Sequence, residues 1–127
     1  MQKILIIDDS KSVHAFVKHC FHDCEFTVIS TYNGLEGCNL LKKKEHNFDL
    51  ILLDWEMPIQ DGPNTLAQIM TFNLGTPVLM MTSRNAMEDI EKMIKIGASE
   101  YIMKPFTKDI LISKTFPFLG LSYETAS

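Results

Sequence analysis

The hydrophobic positions of this chain alternate between two kinds of segment. Runs in which every residue is apolar stand at 4–7 (ILII), 50–53 (LILL) and 78–81 (VLMM). Between them lie longer stretches whose apolar residues recur every three or four positions. The first kind suits a strand buried on both faces, the second a helix with one inward stripe. The pattern predicts strands near 3–7, 26–30, 49–53, 76–81 and 100–103. Helices are predicted over 10–22, with Val13, Phe16, Val17 and Cys20 inward, and over 33–45, with Leu35, Cys38 and Leu41 inward and the lysines in solvent. Three more follow: one from Pro63 with Leu66, Ile69 and Met70 inward, one over 86–97 with Ile90, Met93 and Ile94 inward and Gly97 ending it, and one from about Thr107.

Five strands alternating with five helices specify an α/β domain with a parallel, doubly wound sheet, because right-handed crossovers place helices on both faces. The most apolar runs belong at the centre and the mixed FTVIS (26–30) at an edge, which gives the strand order 2-1-3-4-5. In such sheets ligands bind beyond the carboxyl ends of the strands, here where the order reverses between the first and third. The residues at those ends are polar: Asp8 and Asp9 after ILII, Asp54 after LILL, Thr82 and Ser83 after VLMM, and Lys104 after YIM. One such residue is an ordinary helix cap; several at one sheet edge make a site.

Neighbouring strands lie ~4.8 Å apart, so the three carboxylates crowd one another. Like charges this close raise at least one pKa unless a cation joins them. Lys104 is the basic candidate, about two strand spacings (~10 Å) from Asp54, a gap its arm can span, and one amine does not balance three acids. A divalent ion is implied, and an all-oxygen, partly open ligand set suits Mg²⁺ (or Mn²⁺) better than zinc.

Composition narrows the functional classes. A chain of 127 residues, 46% hydrophobic, suits one domain with a substantial core. The net charge of −4 argues against direct nucleic-acid binding. No apolar run reaches the ~18 residues of a membrane helix, and the N-terminus lacks the pattern of a secretory signal. Three cysteines, Cys20, Cys24 and Cys38, cannot all pair within one chain, which points to the reducing cytoplasm. The stretch HCFHDC (19–24) holds four metal-ligand types, but helical geometry spreads them over several faces; the expectation is Cys20 in the core and His19 and His22 in solvent.

The motifs IIDDS (6–10), LLDWEMPIQDG (52–62), MMTS (80–83) and GASEYIMKPF (97–106), in this order, resemble those of response-regulator receiver domains of the stand-alone chemotaxis-regulator type. The resemblance covers residues 2 to about 112 and implies a flavodoxin-like (βα)₅ fold, with a receiver domain over 1–120 and a flexible tail over 121–127. It implies that Asp54 accepts a phosphoryl group from a histidine kinase or phosphotransfer protein. Asp8, Asp9, Asp54 and the backbone carbonyl of Glu56 would hold Mg²⁺. Thr82 would be the switch hydroxyl, Tyr101 the switch aromatic, and Lys104 the partner of the phosphoryl group, with the Lys104–Pro105 bond cis. The switched state would bind a downstream protein through the face of the fourth helix, fifth strand and fifth helix. Such a protein is a signalling switch, not an enzyme, although Mg²⁺-dependent self-phosphorylation and auto-dephosphorylation are expected of it.

Other readings fit less well. A haloacid-dehalogenase-type phosphatase wants DxD after the first strand, whereas here DxE follows the third. In a flavodoxin-like FMN carrier, the acids of DDSKS would meet the flavin phosphate. A scaffolding pseudo-receiver would not retain Asp8, Asp9, Asp54, Thr82 and Lys104 together. This sequence adds features of its own. Glu56 lies two residues past Asp54 and Arg84 two past Thr82, so a Glu56–Arg84 pair could gate water and set the phosphoryl lifetime; Glu56 could otherwise contact Lys104. Thr82 could also cap the next helix. Pro117 interrupts the last helix before an apolar turn over 117–121, and Met87 could belong to an adaptable recognition patch. No output module follows within these residues, so either the protein works alone by protein–protein contact or the chain is a fragment of a longer one.

Overall fold

The structure, a computed structural model, describes residues 1–43 and 45–122. Five parallel strands, β1 (Gln2–Ile7), β2 (Phe26–Thr31), β3 (Leu50–Asp54), β4 (Val78–Thr82) and β5 (Glu100–Met103), form one sheet in the order β2-β1-β3-β4-β5. Five helices alternate with them: α1 (Lys11–Cys20), α2 (Gly34–Lys42), α3 (Gly62–Thr71), α4 (Met87–Ile96) and α5 (Lys108–Thr115). The predicted doubly wound fold and strand order are the ones found.

Local chemistry sets most helix starts. The side chains of Ser10, Asn33, Asp61 and Thr107 each accept a backbone N–H from the first turn of the helix they precede, satisfying a donor the helix leaves free. Pro63, expected at a helix start, lies in the first turn of α3, where its missing N–H costs nothing. Gly97 ends α4 at φ 141°, a backbone conformation other residues avoid.

Alternation along the strands divides the core in two. Ile4, Ile6, Leu50, Leu52, Leu79 and Met81 face α1 and α5, against Val17, Cys20, Leu111 and Ile112. Leu5, Ile7, Ile51, Leu53, Val78 and Met80 face the other way, against Cys38, Leu66, Ile69 and Met93 of α2, α3 and α4. The central strands β3 and β4 are buried at every position, as their unbroken apolar runs predicted.

The helical stripes are narrower than expected. Phe16, Leu35 and Ile94, predicted inward, are exposed, and α1 buries His14 in addition to Val17 and Cys20. The periodicity fixed a helix but left its rotation uncertain by one position. Lys42 and Lys43 are exposed as expected, and Lys44 lies outside the described residues. Pro117 does not kink α5: the α-helix closes at Thr115 and a 3₁₀ turn, Phe116–Leu119, follows, burying Phe116 and Leu119 and ending at Gly120 in the left-handed region. Most of the expected tail, 123–127, lies outside the described residues. Among the described residues, no helix is long and apolar enough to cross a membrane.

Candidate functional site

Strand register brings the acids together. Ile7 of β1 pairs with Leu53 of β3, so the next residues, Asp8 and Asp54, emerge side by side at the carboxyl edge. Oxygens of Asp8, Asp9 and Asp54 lie within 4.8 Å of one another. Asp8 and Asp54 are buried, whereas Asp9 is exposed. Across the sheet, Thr82 pairs with Met103, and the Lys104 amide donates to the Thr82 carbonyl at 2.8 Å. The Lys104–Pro105 peptide is cis.

The lysine ammonium reaches both buried acids. Its Nζ donates to Asp8 Oδ2 and to Asp54 Oδ1, each at 2.9 Å. The ~10 Å is the separation between strands, and the long side chain spans it, as expected. Burial pushes the Asp54 carboxyl up to about 6; the bond from Lys104 opposes this, and the charges of Asp8 and Asp9 add to it. Crowding of like charges is thus the lesser cause, and desolvation the greater. For Lys104, burial favours the neutral amine, but the bonds to Asp54 and Asp8 outweigh it and leave the pKa raised.

The donor set of this cluster is made of hard carboxylate oxygens open to solvent through Asp9, which fits a Mg²⁺- or Mn²⁺-sized ion and offers no soft ligand for zinc. Among the described residues, His19, Cys20, His22 and Cys24 form no comparable cluster; Cys20 is in the core and both histidines are exposed, as expected.

Thr82 is buried, and its Oγ1 accepts the Arg84 amide at 2.9 Å. It does not cap α4, which begins after Ala86 without a side-chain cap. Glu56 contacts Arg84 and not Lys104: Oε1 accepts from Nε at 2.9 Å and lies 2.8 Å from the second guanidinium nitrogen. The guanidinium lies 4.7 Å from the centre of the Trp55 ring and 3.7 Å from an Asp89 oxygen, so it spans the mouth of the site from β4 to β3. Tyr101 is half-buried on β5, with the Lys114 ammonium 5.0 Å from its ring centre. Met87 is exposed at the start of α4.

The loop after Asp54 is tightly held. Gly62 donates to the Trp55 carbonyl at 2.7 Å, and a Cβ on it would overlap the Asp54 carbonyl oxygen and the Trp55 Cα. Ile59, in the same loop, takes φ 72° while 76% exposed, an unfavourable backbone for a β-branched residue.

A parallel sheet in this order, with three acids, a hydroxyl and a lysine at one edge, has a counterpart among known families. The family model described as response regulator receiver domain matches residues 4–116. The chain belongs to this family. This receiver domain is 36% identical to the chemotaxis protein CheY of Listeria monocytogenes, covering 86% of this chain and 91% of that protein. It is 33% identical to CheY of Halobacterium salinarum, over 84% and 88% of the two chains. It is 40% identical to the probable C4-dicarboxylate response regulator DctR of Priestia megaterium over 81% of this chain, but it spans only 45% of that protein's length. Among solved structures, the receiver domain of a Francisella response regulator superposes with a TM-score of 0.86 at 29% identity, covering 94% of this chain and 98% of that one. The resemblance seen in the sequence therefore holds for fold and family, and the protein is a CheY-like response regulator domain of two-component signalling.

Sequence reasoning missed two residues beside the site. His14 was hidden because a polar residue on a helix reads as solvent-facing, although its spacing from Val17 and Cys20 marks the buried face. Ile59 carried no signal, since nothing in a local pattern shows that a loop will need φ above zero.

Proposed function

We propose that this receiver domain is a phosphorylation-dependent switch in which Asp54 accepts a phosphoryl group from a histidine kinase or phosphotransfer protein. The observation that carries this reading is the Lys104 ammonium bonded to both Asp8 and Asp54, with the buried Thr82 hydroxyl at the next strand end. Although burial raises its pKa to about 6, Asp54 still titrates below neutral pH, so its carboxylate needs no general base. One carboxylate oxygen attacks phosphorus, the bond to the donor nitrogen breaks, and its electron pair leaves with the imidazole. Asp8, Asp9, Asp54 and the Glu56 carbonyl would hold the metal, which when bound supplies charge neutralisation for the transferring group.

The product replaces a carboxylate by a group carrying about −1.5 to −2 charges. Lys104 then exchanges its Asp54 contact for a phosphoryl oxygen. Thr82 turns its hydroxyl to the same group, releasing the Arg84 amide, and Tyr101 moves into the space vacated. That change biases the face of α4, β5 and α5 toward a downstream protein target. Hydrolysis of the acyl phosphate returns Asp54 and phosphate, with Glu56 and Arg84 controlling access of water. Residues 1–120 act as the switch, with Leu121 packed against their core. The protein works as a signalling switch and not a turnover enzyme, in the cytoplasm, where its free cysteines stay reduced.

The test is incubation with acetyl phosphate and Mg²⁺, followed by intact-mass and peptide analysis. One base-labile phosphate on Asp54 is expected, absent from Asp54→Asn and from metal-free samples. Phosphate on another residue, or none, overturns the reading.

A further inference from the structure

His14 is a buried, polar residue of α1 that the phosphoryl-transfer chemistry does not use. Its Nε2 lies 2.7 Å from the backbone carbonyl oxygen of Asp8, and its Nδ1 lies 2.8 Å from Ser30 Oγ on β2. A carbonyl only accepts, so Nε2 carries the proton; in the neutral ring Nδ1 then accepts from the Ser30 hydroxyl. The Tyr32 ring, 4.6 Å away between centroids, packs against the imidazole.

This contact completes the restraint on Asp8. Its amide donates to the Thr31 carbonyl at 3.2 Å. One carboxylate oxygen accepts the Ser10 amide at 2.8 Å and the other accepts Lys104 at 2.9 Å. Only the carbonyl remains, and His14 takes it. That carbonyl belongs to the same rigid plane as the Asp9 amide, so fixing it fixes the direction in which the chain delivers Asp9. Asp9 is exposed and follows directly from that peptide plane.

We propose that His14 is a positioning residue for the cation site: by donating to the Asp8 carbonyl it sets the Asp8–Asp9 peptide plane and holds the two acids in a shared ligand geometry. The inference rests on the metal-dependent reading above. Groups of this kind, touching the ligand-bearing residues and not the ion, typically tune metal affinity by about 10-fold or more.

Trp55, the chain's single tryptophan, follows Asp54 directly and reports on the site. Mg²⁺ titrations of Trp55 fluorescence in wild type, His14→Leu and His14→Gln test the proposal. Glutamine places an amide N–H where Nε2 stands; leucine fills the space without a donor. The Leu variant is expected to bind Mg²⁺ about 10-fold more weakly, and the Gln variant close to wild type. With acetyl phosphate, the Leu variant should need more Mg²⁺ yet approach the wild-type rate at saturation, a split that loss of packing does not produce. Wild-type affinity in the Leu variant, or equal weakening in both, overturns the inference. If the Leu variant does not fold, His14→Asn, whose amide is too short to reach the carbonyl, replaces it in the comparison with Gln. A wild-type chain that gives no Mg²⁺ response overturns the metal reading itself and this inference with it; a normal response with an unaltered variant overturns this inference alone.

Discussion

Replacing Lys104 by methionine isolates the electrostatic centre of the fold. The substitution keeps an unbranched chain of similar length and removes the ammonium that Asp8 and Asp54 share at 2.9 Å. Asp8 is 0% exposed at its side chain and Asp54 7%, so neither carboxylate can turn to bulk water. Removing one partner of a buried ion pair costs about 3–5 kcal/mol. Because the Lys104 side chain is 22% exposed and water can enter in its place, the low end, ~3 kcal/mol, is expected at neutral pH without metal. At ~2.1 cal/mol/K per residue, this chain has an unfolding entropy near 0.27 kcal/mol/K, and the loss lowers Tm by about 11 °C. The pH dependence has a definite sign. The folded-state pKa of Asp54 is raised to about 6, so its protonated form favours folding: that contribution is fully present below the ordinary carboxylate pKa and is lost as pH rises through 6. Without Lys104 the pKa rises further, so the stability gap from wild type should narrow near ~pH 5, where Asp54 is protonated and only the Asp8 contact is lost, and be widest above ~pH 7. Urea unfolding followed by Trp55 fluorescence measures it, and Mg²⁺ should restore part of the loss. A gap that is absent at neutral pH, or the same at both pH values, would refute the account of two buried acids sharing one cation.

Other expectations concern the loops around this centre. Ile59→Asn should stabilise the fold by about 1 kcal/mol in urea unfolding, because asparagine tolerates the positive φ that isoleucine resists; a loss would show that Ile59 is not strained. Gly62→Ala should cost about 2 kcal/mol or more, since its Cβ meets backbone atoms of Asp54 and Trp55 that cannot give way; an unchanged urea midpoint contradicts this. Glu56→Ala and Arg84→Ala should each speed decay of the phosphorylated form, with stability changed by less than ~1 kcal/mol because the pair is exposed. Equal decay rates in all three proteins remove the gating role.

The sequence alone determined the strands, their order and the set of residues at the carboxyl edge. Fully apolar runs such as LILL, alternating with helical stretches, read as central strands, and a parallel strand aims the residue after it at one edge, so Asp8, Asp54, Thr82 and Lys104 meet there. The four matching motifs named the family for the same reason: they are the pieces of one edge. Distances and orientations were decided only by the packed fold. Lys104 bonds both acids at 2.9 Å through a choice of rotamer that no spacing rule contains. His14 faces inward while Phe16 faces out because helix rotation is set by what the sheet and β2 offer it, here Ser30 and the Asp8 carbonyl. A periodic pattern fixes which kind of element forms, whereas side-chain partners depend on contacts between elements far apart in the chain, and those exist only after the core has closed.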